Sequence, residues 1–216
     1  SVLTEKADLL AVFAAVKALP YVDPEDISLC GFSQGGLVSA LAAVELQEQV
    51  KRLILFYPAL CIPDDARAGH MMFARFDPKR IPDTMRCGPM KLGRCYARDV
   101  IGMEPFEIIG RYRGPVLILH GTKDEVVPVD YARRAYRAYR KARGGGPGAD
   151  VQLVLIYGAN HGLHSLLRGR DWMRYAFFAV DKFLEGKAPV LNVDVKLTAR
   201  DPEKLPGGKK VRAHFT

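Results

Sequence analysis

Ile27-Ser28-Leu29-Cys30-Gly31-Phe32-Ser33-Gln34-Gly35-Gly36 is the stretch whose reading decides the fold. Its first four residues form a short apolar strand pattern, and residues from about 37 to 50 carry a helix pattern. Between them lies G-x-S-x-G, which in a strand–turn–helix context marks a serine held on a sharp, strained turn. Such a turn exposes Ser33 Oγ and leaves room only for small neighbours, which Gly31 and Gly35 are expected to supply. It also aims the Gln34 backbone N–H at the place where an oxyanion would develop.

Outward from this turn the chain alternates. Upstream, residues 3–19 place Leu3, Ala7, Leu10, Phe13 and Ala14 on one helical face, and the pattern stops at Pro20. Downstream, Arg52-Leu53-Ile54-Leu55-Phe56-Tyr57 reads as a second buried strand closed by Pro58. Residues 62–113 are irregular and proline-rich, too long for a simple loop, and read as an insertion with its own helices. Alternation resumes with Pro115-Val116-Leu117-Ile118-Leu119, then a helix over 128–143 burying Val129, Ala132, Tyr136 and Tyr139. A glycine-rich break at 144–148, a strand over 151–157 and a helix over 172–184 follow. Buried strands alternating with helices predict an α/β fold with a parallel sheet covered on both faces. In the last thirty residues, Leu191, Val193, Val195 and Leu197 alternate with polar residues, as do Val211, Ala213 and Phe215, which suggests a β-hairpin.

Composition excludes several classes. The 216 residues are 49% hydrophobic and 26% charged, too apolar for disorder. The most apolar stretch, in the first 20 residues, is interrupted by Glu5, Lys6, Asp8 and Lys17, so no membrane helix is expected. The net charge of +8 is local. Residues 128–143 hold six Lys/Arg against one acid, residues 204–212 hold four against none, and the remainder is near neutral. No recognition motif accompanies the charge, so it reads as a solvated helix face and nucleic acid is not an expected partner. Cys30, Cys61, Cys87 and Cys95 lack C-x-x-C spacing and read as buried thiols, with only Cys87 and Cys95 placed to bridge; no metal and no cofactor are expected.

A serine needs a base, and the base an orienting acid. His120-Gly121-Thr122-Lys123-Asp124-Glu125-Val126-Val127-Pro128 puts Asp124 just past the third core strand. Gly158-Ala159-Asn160-His161-Gly162 puts His161 just past the fourth. Ligands and chemistry in open α/β sheets gather outside the carboxyl ends of the strands. Ser33, Asp124 and His161 are therefore the expected triad. His120 reads as a structural hydrogen-bonding histidine, His164 as lying on or near a helix, Glu125 as a poorer substitute for Asp124, and His70 as uninvolved.

On Gly-Phe-Ser-Gln-Gly-Gly, His-Gly-Thr-Lys-Asp-Glu-Val-Val-Pro and Gly-Ala-Asn-His-Gly, the chain resembles the α/β-hydrolase superfamily from its first helix to about residue 186. The insertion is similar to the cap of bacterial cinnamoyl and feruloyl esterases in Asp65-Ala66-Arg67-Ala68-Gly69, in Phe76-Asp77-Pro78-Lys79-Arg80-Ile81-Pro82-Asp83 and in Gly93-Arg94-Cys95-Tyr96. The resemblance implies that Asp65 contacts phenolic hydroxyls; the glutamine that assists it in that family falls near Met72, a departure. It also implies upstream strands and a His-Gly loop carrying a second oxyanion donor, so the chain reads as a piece of a longer protein.

The resemblance thus implies a partial α/β-hydrolase fold over 1–186 with a cap over 62–113, followed by a linker and hairpin over 187–216. The expected activity is hydrolysis of carboxylic esters, preferably hydroxycinnamoyl esters of plant cell-wall sugars, through an acyl-enzyme on Ser33. Two alternatives stay open: a serine peptidase of the prolyl-oligopeptidase type, and an inert fragment or interaction module.

Overall fold

The computed structural model describes residues 1–142, 144, 150–165 and 170–187. The expected C-terminal hairpin, and most of the glycine-rich break, lie outside the described residues. At the centre is a parallel sheet of four strands, β1 (Ser28–Phe32), β2 (Arg52–Phe56), β7 (Val116–Gly121) and β8 (Val151–Ile156), in the order β1-β2-β7-β8. Successive side chains point to opposite faces. Leu53, Leu55, Val116, Ile118 and Leu153 enter one core, whereas Ile54, Phe56, Leu117, Leu119, Val154 and Ile156 enter the other. The first core is covered by α1 (Val2–Lys17), α2 (Gln34–Leu46), α5 (Pro105–Ile109) and α6 (Asp130–Lys141). The second is covered by α7 (Met173–Leu184), through Ala176, Ala179 and Phe183.

The register positions the site. Phe32 pairs with Phe56, Phe56 with Leu119, and Gly121 with Ile156, so the carboxyl ends of all four strands share one edge. Whatever follows Phe32, Phe56, Gly121 and Ile156 must emerge there together.

The insertion contains α3 (Ile62–Arg67), α4 (Cys95–Arg98) and α5, as expected, and two antiparallel hairpins that the irregular sequence concealed. These are β3 (His70–Met71) with β4 (Ala74–Arg75), and β5 (Thr84–Cys87) with β6 (Met90–Gly93). Its buried Met71, Ala74, Met85, Cys87, Ala97 and Val100 belong to the same hydrophobic cluster as Leu29 and Leu53. A salt-bridge network ties it further: Asp64 accepts from Arg67 (2.6 Å) and from the Tyr131 hydroxyl (2.8 Å), and Arg134 lies 4.1 Å above the Phe106 ring. Part of the basic helix face is thus used in stacking rather than left to solvent.

Several local expectations are corrected. Helix α1 buries Val2 and Phe13 with Leu9 and Leu10 partly covered, while Leu3, Ala7 and Ala14 are exposed. Helix α1 packs against α2, and Lys6 pairs with Glu45 between the two helices. Helix α2 begins at Gln34 itself, because Ser33 is its N-cap residue, and gives way at Leu46 to a short 3₁₀ turn over Gln47–Gln49. In α6, Ala135 is buried and Val129 and Tyr136 are only partly so. His164 starts a two-residue strand, β9 (His164–Ser165), paired with β10 (Arg170–Asp171), rather than a helix. All four cysteines are free; Cys61 and Cys87 are buried but Cys30 and Cys95 are exposed. No helix among the described residues is long and apolar enough to cross a membrane.

The glycines of the turn also divide differently from the expectation. A Cβ on Gly31 would lie 2.3 Å from the Gly35 carbonyl oxygen, and one on Gly36 would lie 2.8 Å from Pro58 Cβ, whereas one on Gly35 meets nothing within 4 Å. Close approach of β1 and β2 to α2, not the turn alone, demands the missing side chains. Gly31→Ala should therefore destabilise the fold by about 1–3 kcal/mol or more through overpacking. Gly35→Ala should be neutral or stabilising by up to about 1 kcal/mol, given the poor helix propensity of glycine. Thermal denaturation of the two variants separates these outcomes.

Candidate active site

Ser33 stands at φ 50°, ψ −120°, a conformation that non-glycine residues seldom adopt. It is held there from several sides. Its N–H donates to the Phe56 carbonyl (3.0 Å), and its carbonyl accepts from Gly36 N–H and Ala59 N–H, both at 2.9 Å. The cost of such a backbone is of order 1–3 kcal/mol, sustained only where the surroundings over-determine it.

The loop after β8 brings His161 to this turn. His161 Nε2 lies 3.1 Å from Ser33 Oγ, and Nδ1 lies 2.9 and 3.1 Å from the two carboxylate oxygens of Asp124. An ionised carboxylate only accepts, so Nδ1 carries the proton; in the neutral imidazole Nε2 is then the acceptor and the serine hydroxyl donates to it. Three residues separated by up to 128 positions thus meet in one hydrogen-bonded line.

Asp124 is the electrostatic anchor. Its side chain is fully buried. Burial alone would push its pKa up, but hydrogen bonds from His120, His161, Val127 and Val126 more than reverse this and hold it well below the usual carboxylate range. The Val126 and Val127 N–H groups donate to Oδ1 at 2.9 and 2.8 Å, while His161 and His120 approach Oδ2 at 2.9 and 3.3 Å. His120 Nε2 also lies 2.9 Å from the Val127 carbonyl, which can only accept, so that nitrogen bears the proton. The histidine read from the sequence as structural therefore sits directly on the acid.

Gln34, the first residue of α2, has its side chain clamped: Nε2 donates to both oxygens of Glu5, at 2.7 and 2.8 Å, and Oε1 accepts from the Tyr96 hydroxyl. This bond joins α1, the serine turn and the insertion. Sequence reasoning singled out the Gln34 backbone and missed the side chain, because its partners lie 29 and 62 residues away.

The two residues assigned to substrate by resemblance are placed differently from one another. Asp65, on α3, is partly buried and lies 3.7 Å from His70; burial raises its pKa despite a hydrogen bond from Cys61. Burial, and then the Asp65 carboxylate beside it, push the Cys61 thiol up. Met72 lies at φ 49° in the turn between β3 and β4 and is 62% exposed. Glu125 is exposed, and nothing brings it to His161. Among the described residues no cluster of His, Cys, Asp and Glu has the form of a metal site.

Known proteins share this arrangement to different extents. A structure of Est1E from Butyrivibrio proteoclasticus, with ferulic acid bound, superposes with a TM-score of 0.74 at 30% identity, over 87% of this chain and 69% of that one. A Mycobacterium tuberculosis puromycin-hydrolyzing peptidase has a TM-score of 0.61 at 21% identity over 84% of this chain and 25% of its own, a likeness of fold alone. The uncharacterized peptidase YtmA of Bacillus subtilis (strain 168) is 24% identical over 137 residues, 59% of this chain and 46% of the relative; the chain spans about half the length of that protein. The sequence profile of the acetyl xylan esterase (AXE1) family matches residues 6–143, a stretch that includes Ser33, Gln34, Asp65 and Asp124. With more than half of its length so matched, and the parallel sheet and serine turn of that fold in place, the chain belongs to the acetyl xylan esterase (AXE1) family of α/β-hydrolases.

Proposed function

We propose that the protein is a serine hydrolase of carboxylic esters, working through an acyl-enzyme. The observation that carries this is the continuous line Ser33 Oγ–His161–Asp124, with contacts of 3.1 and 2.9 Å, at the carboxyl edge of a parallel sheet. Ser33 attacks the ester carbonyl while His161 Nε2 takes its proton. The Asp124 carboxylate holds the imidazole in the required tautomer and stabilises the imidazolium. The same proton then goes to the leaving alkoxide, and a water activated by His161 releases the acid. The Gln34 N–H, the first of α2 and unpaired within the helix, lies at the positive end of the helix dipole and serves as an oxyanion donor.

For the substrate, we infer a hydroxycinnamoyl ester of a plant cell-wall sugar. The ferulic acid bound to Est1E, at 30% identity, supports this reading, as does the partly buried carboxylate of Asp65, which is available to a phenolic hydroxyl. An acetyl ester of xylan is the second reading, favoured by the family profile.

Three outcomes test the proposal in the full-length protein. A fluorophosphonate probe should label Ser33, and Ser33→Ala should abolish labelling. Asp124→Asn should lower kcat by about 10⁴-fold, as when the imidazole loses its orienting acid. Labelling that survives Ser33→Ala would remove the serine mechanism.

Methyl ferulate should be cleaved with higher kcat/KM than a short acetyl ester, and Asp65→Ala should erase most of that preference while acetyl turnover persists. Equal kcat/KM for the two esters in the parent protein would leave the acetyl reading standing alone.

Asp124 also fixes a pH dependence of stability. Its folded pKa is depressed, so its contribution is fully present above the unfolded value of about 4. That contribution drains away as pH falls through the lower folded value. Urea midpoints measured from about pH 7 down to pH 3 should therefore fall more steeply for the parent than for Asp124→Asn.

A further inference from the structure

Tyr57 directly follows β2 and is followed by Pro58, yet its φ is +36°. Bulky residues rarely adopt this conformation, and a residue before proline is ordinarily extended. Glycine would suit the backbone better. The turn that contains Tyr57 touches each part of the serine site. Tyr57 N–H donates to the Leu119 carbonyl (2.7 Å), Pro58 fills the space opposite Gly36, and Ala59 N–H donates to the Ser33 carbonyl.

The residue is only 7% exposed, and its ring centroid lies 4.6 Å from that of His161, with the planes tilted by 60°. The ring also meets Phe32, the neighbour of Ser33, edge-on at 6.1 Å. Burial, then the Asp124 charge, raises the pKa of the phenol, so the hydroxyl stays neutral beside the imidazole.

We propose that Tyr57 is a positioning residue for His161: its ring is a wall that fixes the imidazole plane and offers π density to the imidazolium formed when Ser33 gives up its proton. The proposal rests on the triad reading above and extends it. A cation over the face of an aromatic ring, within about 6 Å of its centroid, is attracted by the ring, the more so when water is excluded. That attraction exists only while His161 is charged, so it acts on the transition state and not on ester binding.

The test replaces Tyr57 in the full-length protein by phenylalanine, by leucine, and by phenylalanines of increasing ring-fluorine content, which keep the shape while draining π density. Tyr57→Phe should retain turnover within about threefold, and Tyr57→Leu should lose about tenfold in kcat with KM little changed. The fluorinated series should lose kcat stepwise at constant KM and constant melting temperature. The fluorinated variants decide the matter even if the leucine variant does not fold. A flat fluorinated series, or a phenylalanine variant as impaired as the leucine one, would overturn the proposal. His161→Ala is the reference. Inactivity there with a flat fluorinated series removes only the role of Tyr57, whereas an active His161→Ala removes the triad itself.

Discussion

One left-handed residue governs the arrangement of this protein. Ser33 can hold φ 50° only because the Phe56 carbonyl takes its N–H and two N–H groups, from Gly36 and Ala59, take its carbonyl. Those bonds require β2 to run alongside β1 in parallel register and the chain after β2 to turn back across the start of α2. The close approach in turn leaves no space for a Cβ at Gly31 or Gly36. A functional conformation at one residue thus sets the spacing of two strands, one helix and one turn around it.

Charge is organised around a second constraint, the burial of Asp124. A carboxylate without exposure is costly unless its lone pairs are filled. Here two backbone N–H groups and two histidines fill them. The two backbone donors fold the loop after β7 into a fixed turn, and the two histidines come from different elements: His120 from the strand itself and His161 from the loop after β8. The acid is therefore held ionised and oriented by the fold itself.

The insertion is bound into the same logic rather than hung outside it. Its apolar residues share the core of the sheet, and its polar ones reach specific partners: Asp64 to Tyr131 and Arg134 on α6, Tyr96 to Gln34 at the serine turn. Anything that shifts α4 must pull on the side chain of the residue whose backbone N–H faces the candidate oxyanion. The insertion and the serine turn are joined through that one glutamine.

The local pattern of residues was enough to determine the strand–turn–helix at Ser33, the four apolar strands, and the placement of Asp124 and His161 in loops that follow strands. These are legible because strand burial, glycine at a tight turn and polar residues after an apolar run leave marks within a few positions. The buried face of α1 was legible in part: Leu10 and Phe13 are covered as their spacing predicts, but Val2 is buried while Leu3, Ala7 and Ala14 are exposed. The short hairpins of the insertion, two residues per strand in one case, are below the length at which alternation can be read. Tyr57 against His161 and Gln34 between Glu5 and Tyr96 are contacts among residues far apart in the chain, and Tyr57 is turned by an unusual φ. Such contacts leave no local periodicity, because they exist only once sheet register has brought the carboxyl ends of the strands to one edge.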